Sequence, residues 1–502
     1  MDRLIIWTKN NDYCAQLLKE GKELEVELTK YGKNDFYIEA LMELGLWDKI
    51  TDLYPNLLKK ENGKPWKTMN GVVTIKELMR LGHISECGKI IGDARLMVAA
   101  GFNLEEYAGK AEKGKDVVTT DTIRNHLGRI DKESCLHGFY RQIKYIREKR
   151  WIRGHTYVVD GHYITIKHGR QYEDLGKVGD MYGYKLVVLL NVAENKERVV
   201  GFALGPLEMS ERELLKDILY RLEQSVAPVR DIIDTLILDR GYWGAELIRE
   251  LKKEWGIDVV TLARDDELEV SKLIKMLSHI KGLKWQEVEE SRSHDKKFKV
   301  KLAGFEDVEL FDPRGNVTMI INVVIAKEYE YEKDGKTLKA DKDGNVIEKE
   351  YYYVTTLPGV RRNPYKIRRY YIRRWLIENR FRDMTQQLNL DIVAGHNINA
   401  IRARIASMLM MFTAEKIISM RYPGDWEEAK ELLKRRASKG RVDGPGVVIY
   451  APGNKFGIFR AREFKVLVQE GDRYKFKEKM EEAIARKKDI TLEEFFKEFG
   501  SG

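Results

Sequence analysis

Cysteine is nearly missing from this 502-residue chain. Its three cysteines, Cys14, Cys87 and Cys135, are odd in number and far apart. They form neither a zinc-binding spacing nor a disulfide framework, so a reducing cytoplasm is the expected setting. Long hydrophobic runs are missing as well. The longest, Ile405 to Phe412, contains Ser407 and is too short to span a bilayer. The apolar run within Met1 to Lys9 is too brief for a signal peptide. No membrane is expected. No Cys/His cluster competes for a metal, which leaves carboxylates as the candidate ligands.

Cations are abundant. The net charge is +9 and the pI about 9.0, a balance that suits a polyanionic partner. The distribution says more than the sum. From Arg361 to Arg374 the chain holds seven basic residues (Arg361, Arg362, Lys366, Arg368, Arg369, Arg373 and Arg374) and no acid. Tyr365, Tyr370 and Tyr371 lie among them, and basic residues interleaved with aromatics suit a phosphate backbone and splayed bases. A solvated basic face is the alternative. Lys434 to Arg441 makes a weaker basic patch, read as plain surface.

The residues that follow narrow the chemistry. The run Tyr370 to Asn389 has helical spacing. At about 100° per residue, Tyr371, Arg374, Glu378 and Thr385 fall within roughly 60° of one another. Ile377, Phe381, Met384 and Leu388 form an apolar stripe beside them. Such a helix would seat on a core and present a carboxylate, an arginine and a tyrosine to a cleft. A carboxylate among cations is what a metal-and-phosphate site needs. The simpler alternative is an Arg374–Glu378 ion pair on a solvated helix.

Two upstream segments argue against that alternative. In Thr156 to Ile166, apolar residues lead to Asp160, then Gly161, then a resumed strand pattern. In Thr235 to Gly244, the buried-strand run Leu236–Leu238 ends at Asp239, followed by Arg240-Gly241-Tyr242. An acid at the carboxyl end of a buried strand points into the crevice where α/β sheets bind ligands.

With these residues together, the chain resembles the DDE transposases of prokaryotic insertion sequences, the group with the Tyr-Arg-Glu-Lys signature. Asp160, Asp239 and the Tyr371-x2-Arg374-x3-Glu378 helix match its three acidic motifs in order and in relative spacing, over roughly residues 120–420. Trp375, Ile377 and Phe381 also stand where the family has aromatic or apolar residues. The departure is Thr385, where the family carries a lysine; Arg380 and Arg382 are near enough to compensate. The resemblance implies a ribonuclease-H-like catalytic core with an inserted antiparallel β domain. It also implies two Mg²⁺ ions (Mn²⁺ as substitute) held by Asp160, Asp239 and Glu378. Tyr371, Arg374, Arg368, Arg369, Arg373, Arg382 and Arg240 would contact DNA. The partners implied are double-stranded DNA, as terminal inverted repeats and target, and a second copy in a synaptic homodimer. A protein of this kind is cytoplasmic and nucleoid-associated when bound. Two alternatives stand beside it. One is a transposase-derived DNA-binding protein without catalysis, towards which Thr385 points. The other is a different ribonuclease-H-like nuclease such as a junction resolvase, against which the long β-rich insertion argues.

The chain divides accordingly. Residues 1–150 read as a helical DNA-binding region, with a capped helix start at Thr119 and a weak helix-turn-helix pattern from Ser85 to Leu96. Residues 151–264 read as three strands, helix, strand, helix, strand, and with 359–422 they form the α/β core. Residues 265–358 read as the β-rich insertion, with turns at Lys333-Asp-Gly and Asp341 to Asn345. Trp285 is a core residue there or, if exposed, a platform for a flipped base. Ala400–Ile418 reads as a long buried helix whose methionines fill the core. Residues 423–502 have no assigned role.

Overall fold

The computed structural model describes residues 8–29, 32–52, 66–91, 118–167, 171–193, 197–263, 277, 279–280, 282–292, 296–311, 317–332, 334–393, 395–423, 446–468, 472 and 476. The basic patch 434–441 and the last five residues of the helix-turn-helix pattern, 92–96, lie outside them. The chain forms two compact units. One comprises residues 1–142, 164–175 and 382–502, the other 143–163 and 176–381.

The chain opens with β1 (Thr8–Lys9), α1 (Asn11–Lys19), β2 (Glu25–Thr29), α2 (Gly32–Glu43), α3 (Leu46–Thr51), α4 (Trp66–Leu78) and α5 (Gly88–Ile91). Next come α6 (Thr120–Gly128) and α7 (Lys132–Glu148). Then come β3 (Thr156–Ile166), β4 (Gly176–Val178), β5 (Met181–Asn191), β6 (Arg198–Pro206), α8 (Glu211–Ser225), β7 (Thr235–Leu238), α9 (Ala245–Lys253) and β8 (Asp258–Leu262). Four long strands follow: β9 (Gln286–Arg292), β10 (Lys296–Phe311), β11 (Val317–Glu330) and β12 (Lys349–Thr355). The last described elements are α10 (Pro364–Ile372), α11 (Arg374–Leu388), α12 (Ile398–Arg421), β13 (Gly446–Ala451), β14 (Lys455–Arg460) and α13 (Ala461–Leu467).

In the first unit, Thr119 caps α6 as expected, its hydroxyl accepting from the Thr122 amide at 3.2 Å. The amino-terminal region is not purely helical, however. β1 and β2 join β13 and β14 in a four-stranded sheet of order β1-β14-β13-β2. The carboxyl-terminal residues therefore supply the two inner strands of a small α/β layer. Its core gathers Cys14, Leu18, Val447, Ile449, Phe459 and Phe464. The long helix α12 is buried along nearly its whole length, including Met408, Met410 and Met411.

The second unit is built on a ten-stranded sheet. β5 lies beside β3, and β6 pairs antiparallel with β5. β3, β7 and β8 run parallel. Parallel strands are buried on both faces, and the apolar runs Tyr157–Val159 and Leu236–Leu238 are all within 1% of full burial. Helix α8 turns Leu214, Leu215, Ile218, Leu219 and Leu222 inward, at the spacing of an amphipathic helix. Apart from the short added strand β4, the strand and helix order of residues 156–262 is the expected one, within a mixed α/β architecture.

Between β8 and α10 the chain supplies four further antiparallel strands. β12 pairs antiparallel with β8, and β11, β10 and β9 continue outward from it. The inserted strands extend the core's own sheet. Helix α10 is fastened to them by a buried ion cluster. Arg368 donates to Glu290 on β9 (2.7 and 2.8 Å), to Glu328 on β11 (2.7 Å) and to the Tyr353 hydroxyl on β12 (2.8 Å). Arg292 reaches the same two glutamates, at 2.9 and 2.5 Å. Burial opposes the charge on Glu290, yet the two guanidiniums hold its carboxyl below the usual range.

Arg368 is only 2% exposed. It is therefore not the DNA contact expected from the basic run, because its donors are taken up inside the fold. Removing one member of a buried ion cluster strands its partners. Arg368→Met should lower stability by about 3 kcal/mol, read as a shift in the urea unfolding midpoint. A loss under roughly 1 kcal/mol, the worth of an exposed pair, would mean that Arg292 alone neutralises both glutamates.

Candidate functional site

The site begins with strand register. β3 and β7 pair in parallel, with Val158 opposite Ile237 and Val159 opposite Leu238. The next residue on each strand is an aspartate: Asp160 and Asp239. Neighbouring strands lie about 4.8 Å apart, so register alone sets the two acids at one level on adjacent strands. Beyond them the strands differ. After Leu238 the chain turns into a short 3₁₀ turn, Arg240–Tyr242, with Asp239 as its cap and its carboxylate accepting from the Gly241 amide. β3 continues to Ile166, so Asp160 lies mid-strand, its Oδ1 accepting from the Gly161 amide at 2.8 Å.

The third motif is not one helix. Helix α10 ends at Ile372 and α11 starts at Arg374. Between them the Arg373 amide bonds to Tyr370 O, a tightened 3₁₀ step that ends the first helix. The two helices nevertheless bring their side chains to one place. The Tyr371 hydroxyl donates to Asp239 Oδ1 at 3.5 Å. Arg374 Nη1 lies 2.5 Å from Glu378 Oε1 and 3.4 Å from Asp239 Oδ1. The simple i,i+4 ion pair does exist, but its arginine is 14% exposed and also spans to a carboxylate 135 residues earlier in the chain. It belongs to a cleft. That cleft, of about 590 Å³, is lined by Asp239, Arg240, Tyr371, Arg374, Trp375 and Glu378 among others. Helix α11 is held against β3 by Phe381, which stacks on His162 at 5.1 Å.

Charge is crowded here. Burial, with like charge from Asp239 and Glu211, pushes the Asp160 carboxyl up to about 7, against the pull of the Gly161 amide and Arg374. Burial also raises the Tyr371 hydroxyl, which stays protonated and able to donate. The Arg374 guanidinium is raised despite its burial, by Tyr371, Asp239 and Glu378.

The expected site residues therefore divide. Asp239, Glu378, Arg374, Tyr371 and Arg240 meet in the cleft, and Asp160 adjoins them electrostatically through Asp239 and Arg374. Arg369 is exposed on α10, Arg373 lies over the Tyr370 ring at 5.8 Å, and Arg382 is exposed on the second half of α11. Thr385 is partly covered and its hydroxyl is buried without a hydrogen bond among the described residues. Trp285 is half-buried, with the Lys327 ammonium 5.8 Å from its ring.

Two residues at the site have no role assigned from the sequence, although Tyr242 closes the turn that follows Asp239. Glu211 opens α8 behind the Ser210 cap and is raised by burial and by Asp239. Tyr242, fully buried, is raised by burial and by Glu211, Asp160 and Asp239. A first-turn glutamate after a serine reads as an ordinary helix start, and only the fold shows which way it faces.

Oxygen donors, excess negative charge and partial burial fit a hard divalent cation in kind. Among the described residues, no three Asp, Glu, His or Cys side chains converge closely enough to share one ion. Arg374 now supplies the positive charge between Asp239 and Glu378. In a scan of family models, residues 152–413 match the transposase DDE domain. A comparison with curated proteins gave no match.

The raised carboxyl has a thermodynamic signature. A carboxyl titrating near 7 when folded, against an ordinary 3.8, favours folding only while protonated. Its contribution is full below about pH 4 and is lost as pH rises through about 7. In chelator, the stability of Asp160→Asn relative to wild type should rise by roughly 2–4 kcal/mol between pH 4.5 and 8. Paired urea unfolding at the two pH values measures it. A difference independent of pH would mean that Asp160 is not the strained acid.

Proposed function

The chain belongs to the DDE transposase family, and we propose that it cuts DNA at the ends of a mobile element and joins those ends to a new site. The observation that carries this reading is the shared register of Asp160 and Asp239 beside the Tyr371–Arg374–Glu378 cluster. Asp160, Asp239 and Glu378 would hold two Mg²⁺ ions, with Mn²⁺ as a substitute. When bound, the ions would supply the charge that activates an attacking hydroxyl and steadies the leaving oxygen of an in-line phosphoryl displacement.

The chain's own residues do the rest. Arg374 is already charged, mostly buried and shared between two carboxylates, so a phosphate arriving at the cleft offers it a third anionic partner. As its guanidinium turns to that phosphate, Glu378 and Asp239 would lose their ion-pair partner and be free to serve as the ligands that hold the cations. Tyr371, kept protonated, donates to a phosphate oxygen. Arg240, Arg369, Arg373 and Arg382 would follow the DNA backbone, and Arg368 is left out of that set by its burial. Working on two element ends calls for a synaptic homodimer.

A second reading, a DNA-binding derivative without catalysis, draws on Thr385. The family's lysine is missing there, and a partly covered threonine hydroxyl is no substitute for a phosphate contact. Metal-dependent nicking decides between the two.

Asp160→Asn, Asp239→Asn and Glu378→Gln, each alone, should abolish Mg²⁺-dependent nicking of terminal-repeat DNA while leaving gel-shift affinity largely intact. Full cleavage by any one removes that residue from the site; no cleavage by wild type at all favours the second reading. Changing Arg369 and Arg373 together to alanine should flatten the slope of log K against log salt by about 0.9 for each phosphate no longer neutralised. An unchanged slope would place those two arginines away from DNA.

A further inference from the structure

Glu211 and Tyr242 are two chemically active side chains that the three-acid site leaves without a part. Glu211 is held where helix α8 begins. Ser210 caps that start, accepting from the Arg212 amide at 3.3 Å, and the Arg212 guanidinium donates to Trp243 O, just beyond the Asp239 turn. The carboxylate does not turn out to solvent. A β-carbon built on Gly161 would lie 2.5 Å from Glu211 Oε1, 2.7 Å from its Cδ and 3.2 Å from its Cγ. The acid therefore fills the side-chain space of position 161, flat against the strand one residue past Asp160. Gly161 is what makes that approach possible.

The second observation is independent. Tyr242 is fully buried, and its hydroxyl meets full hydrogen-bond geometry with no partner among the described residues. It faces Glu211 first, close enough to ease the charge on that carboxylate, and then Asp160 and Asp239. A buried hydroxyl that falls short of a well-formed hydrogen bond carries a cost, and the charged groups acting on this one are Glu211, Asp160 and Asp239. The cation that pulls on Glu211 is Lys185, and it is engaged elsewhere, donating to Met209 O at 2.7 Å.

We propose that Glu211 is a fourth acid of the site, sharing with Asp160 the binding of a divalent cation, with Tyr242 as the buried hydroxyl that orients its carboxylate. The proposal rests on the cation-dependent reading given above. It adds a ligand beside Asp160, and the carboxylates that Arg374 pairs with directly are Asp239 and Glu378. Asp160 and Glu211 would thus hold a cation before DNA draws Arg374 away, which places one cation-binding event ahead of DNA binding.

The test is Mn²⁺ binding to the full-length protein without DNA, monitored by calorimetry and by the electron paramagnetic resonance of free Mn²⁺. Glu211→Gln should weaken Mn²⁺ affinity about 10- to 100-fold, as loss of a ligand or its orienting partner does. Glu211→Asp should restore part of it, and Glu213→Gln, two positions along the same turn, should leave it unchanged. Tyr242→Phe should weaken it less than Glu211→Gln. If Glu211→Gln does not fold, Gly161→Ala serves instead, because its added carbon displaces the Glu211 carboxylate and should weaken Mn²⁺ binding in the same direction. Wild-type affinity in Glu211→Gln, or in Gly161→Ala where that stands in, overturns the proposal. Asp160→Asn separates the two levels: if it loses Mn²⁺ while Glu211→Gln does not, the catalytic reading stands and only Glu211's role falls. If neither loses Mn²⁺, the cation reading itself falls.

Discussion

The parallel pairing of β3 with β7 is the constraint on which the rest of the site depends. Nothing in either aspartate's local sequence measures its distance from the other. The register does so through backbone hydrogen bonds that align Val159 with Leu238. A slip of one residue would move Asp160 up or down by a rise of about 3.3 Å and turn it to the opposite face. The apolar runs before both acids oppose such a slip, because it would draw an aspartate to the level of side chains buried on both faces of the sheet. The burial of six aliphatic and aromatic side chains is thus the means by which two carboxylates are held near each other against their repulsion.

That repulsion needs a counterweight, and Arg374 supplies it. Its place between Asp239 and Glu378 explains why the acids do not already close into a cation cage: one guanidinium occupies the charge gap. An arginine is suited to this because it stays charged when buried and presents several donors. It is also suited to phosphate, and a group that fits both partners can pass from one to the other with little change in its own solvation. Asp160 lies on the far side of this balance. It receives less of the arginine's charge than Asp239 or Glu378 does, and its carboxyl is the one driven up to about 7.

Much of this was legible in the sequence, and the reasons differ by element. The strands around Asp160 and Asp239 announce themselves because apolar runs ending in an acid and a glycine-containing turn leave few other readings. Helix α8 is plain from the spacing of Leu214, Leu215, Ile218 and Leu222. The break at Arg373 was not legible, since no proline or glycine marks it and every neighbouring residue tolerates helix. The burial of Arg368 was hidden for a different reason. A basic run looks uniform in one dimension, while its partners Glu290 and Glu328 are 78 and 40 residues away. The pairing of β1 and β2 with β13 and β14 spans almost the whole chain, and pairings that distant leave no local trace.

The same separation gives the insertion a role in the site. Because β9–β12 continue the core sheet, Glu290 and Glu328 are placed by the core's own hydrogen-bond ladder and not by a flexible tether. Arg368 ties α10 to both of them and to Tyr353, and Tyr353 in turn packs against Tyr371 at 5.5 Å. Tyr371 is three residues from Arg368, on the same face of α10. A chain of contacts therefore runs from strands far out on the sheet to the hydroxyl that reaches Asp239. The basic run thus divides by depth: Arg368 faces inward and fixes the helix, while Arg369 faces outward, available to a polyanion. One helical turn carries both jobs because adjacent residues point about 100° apart.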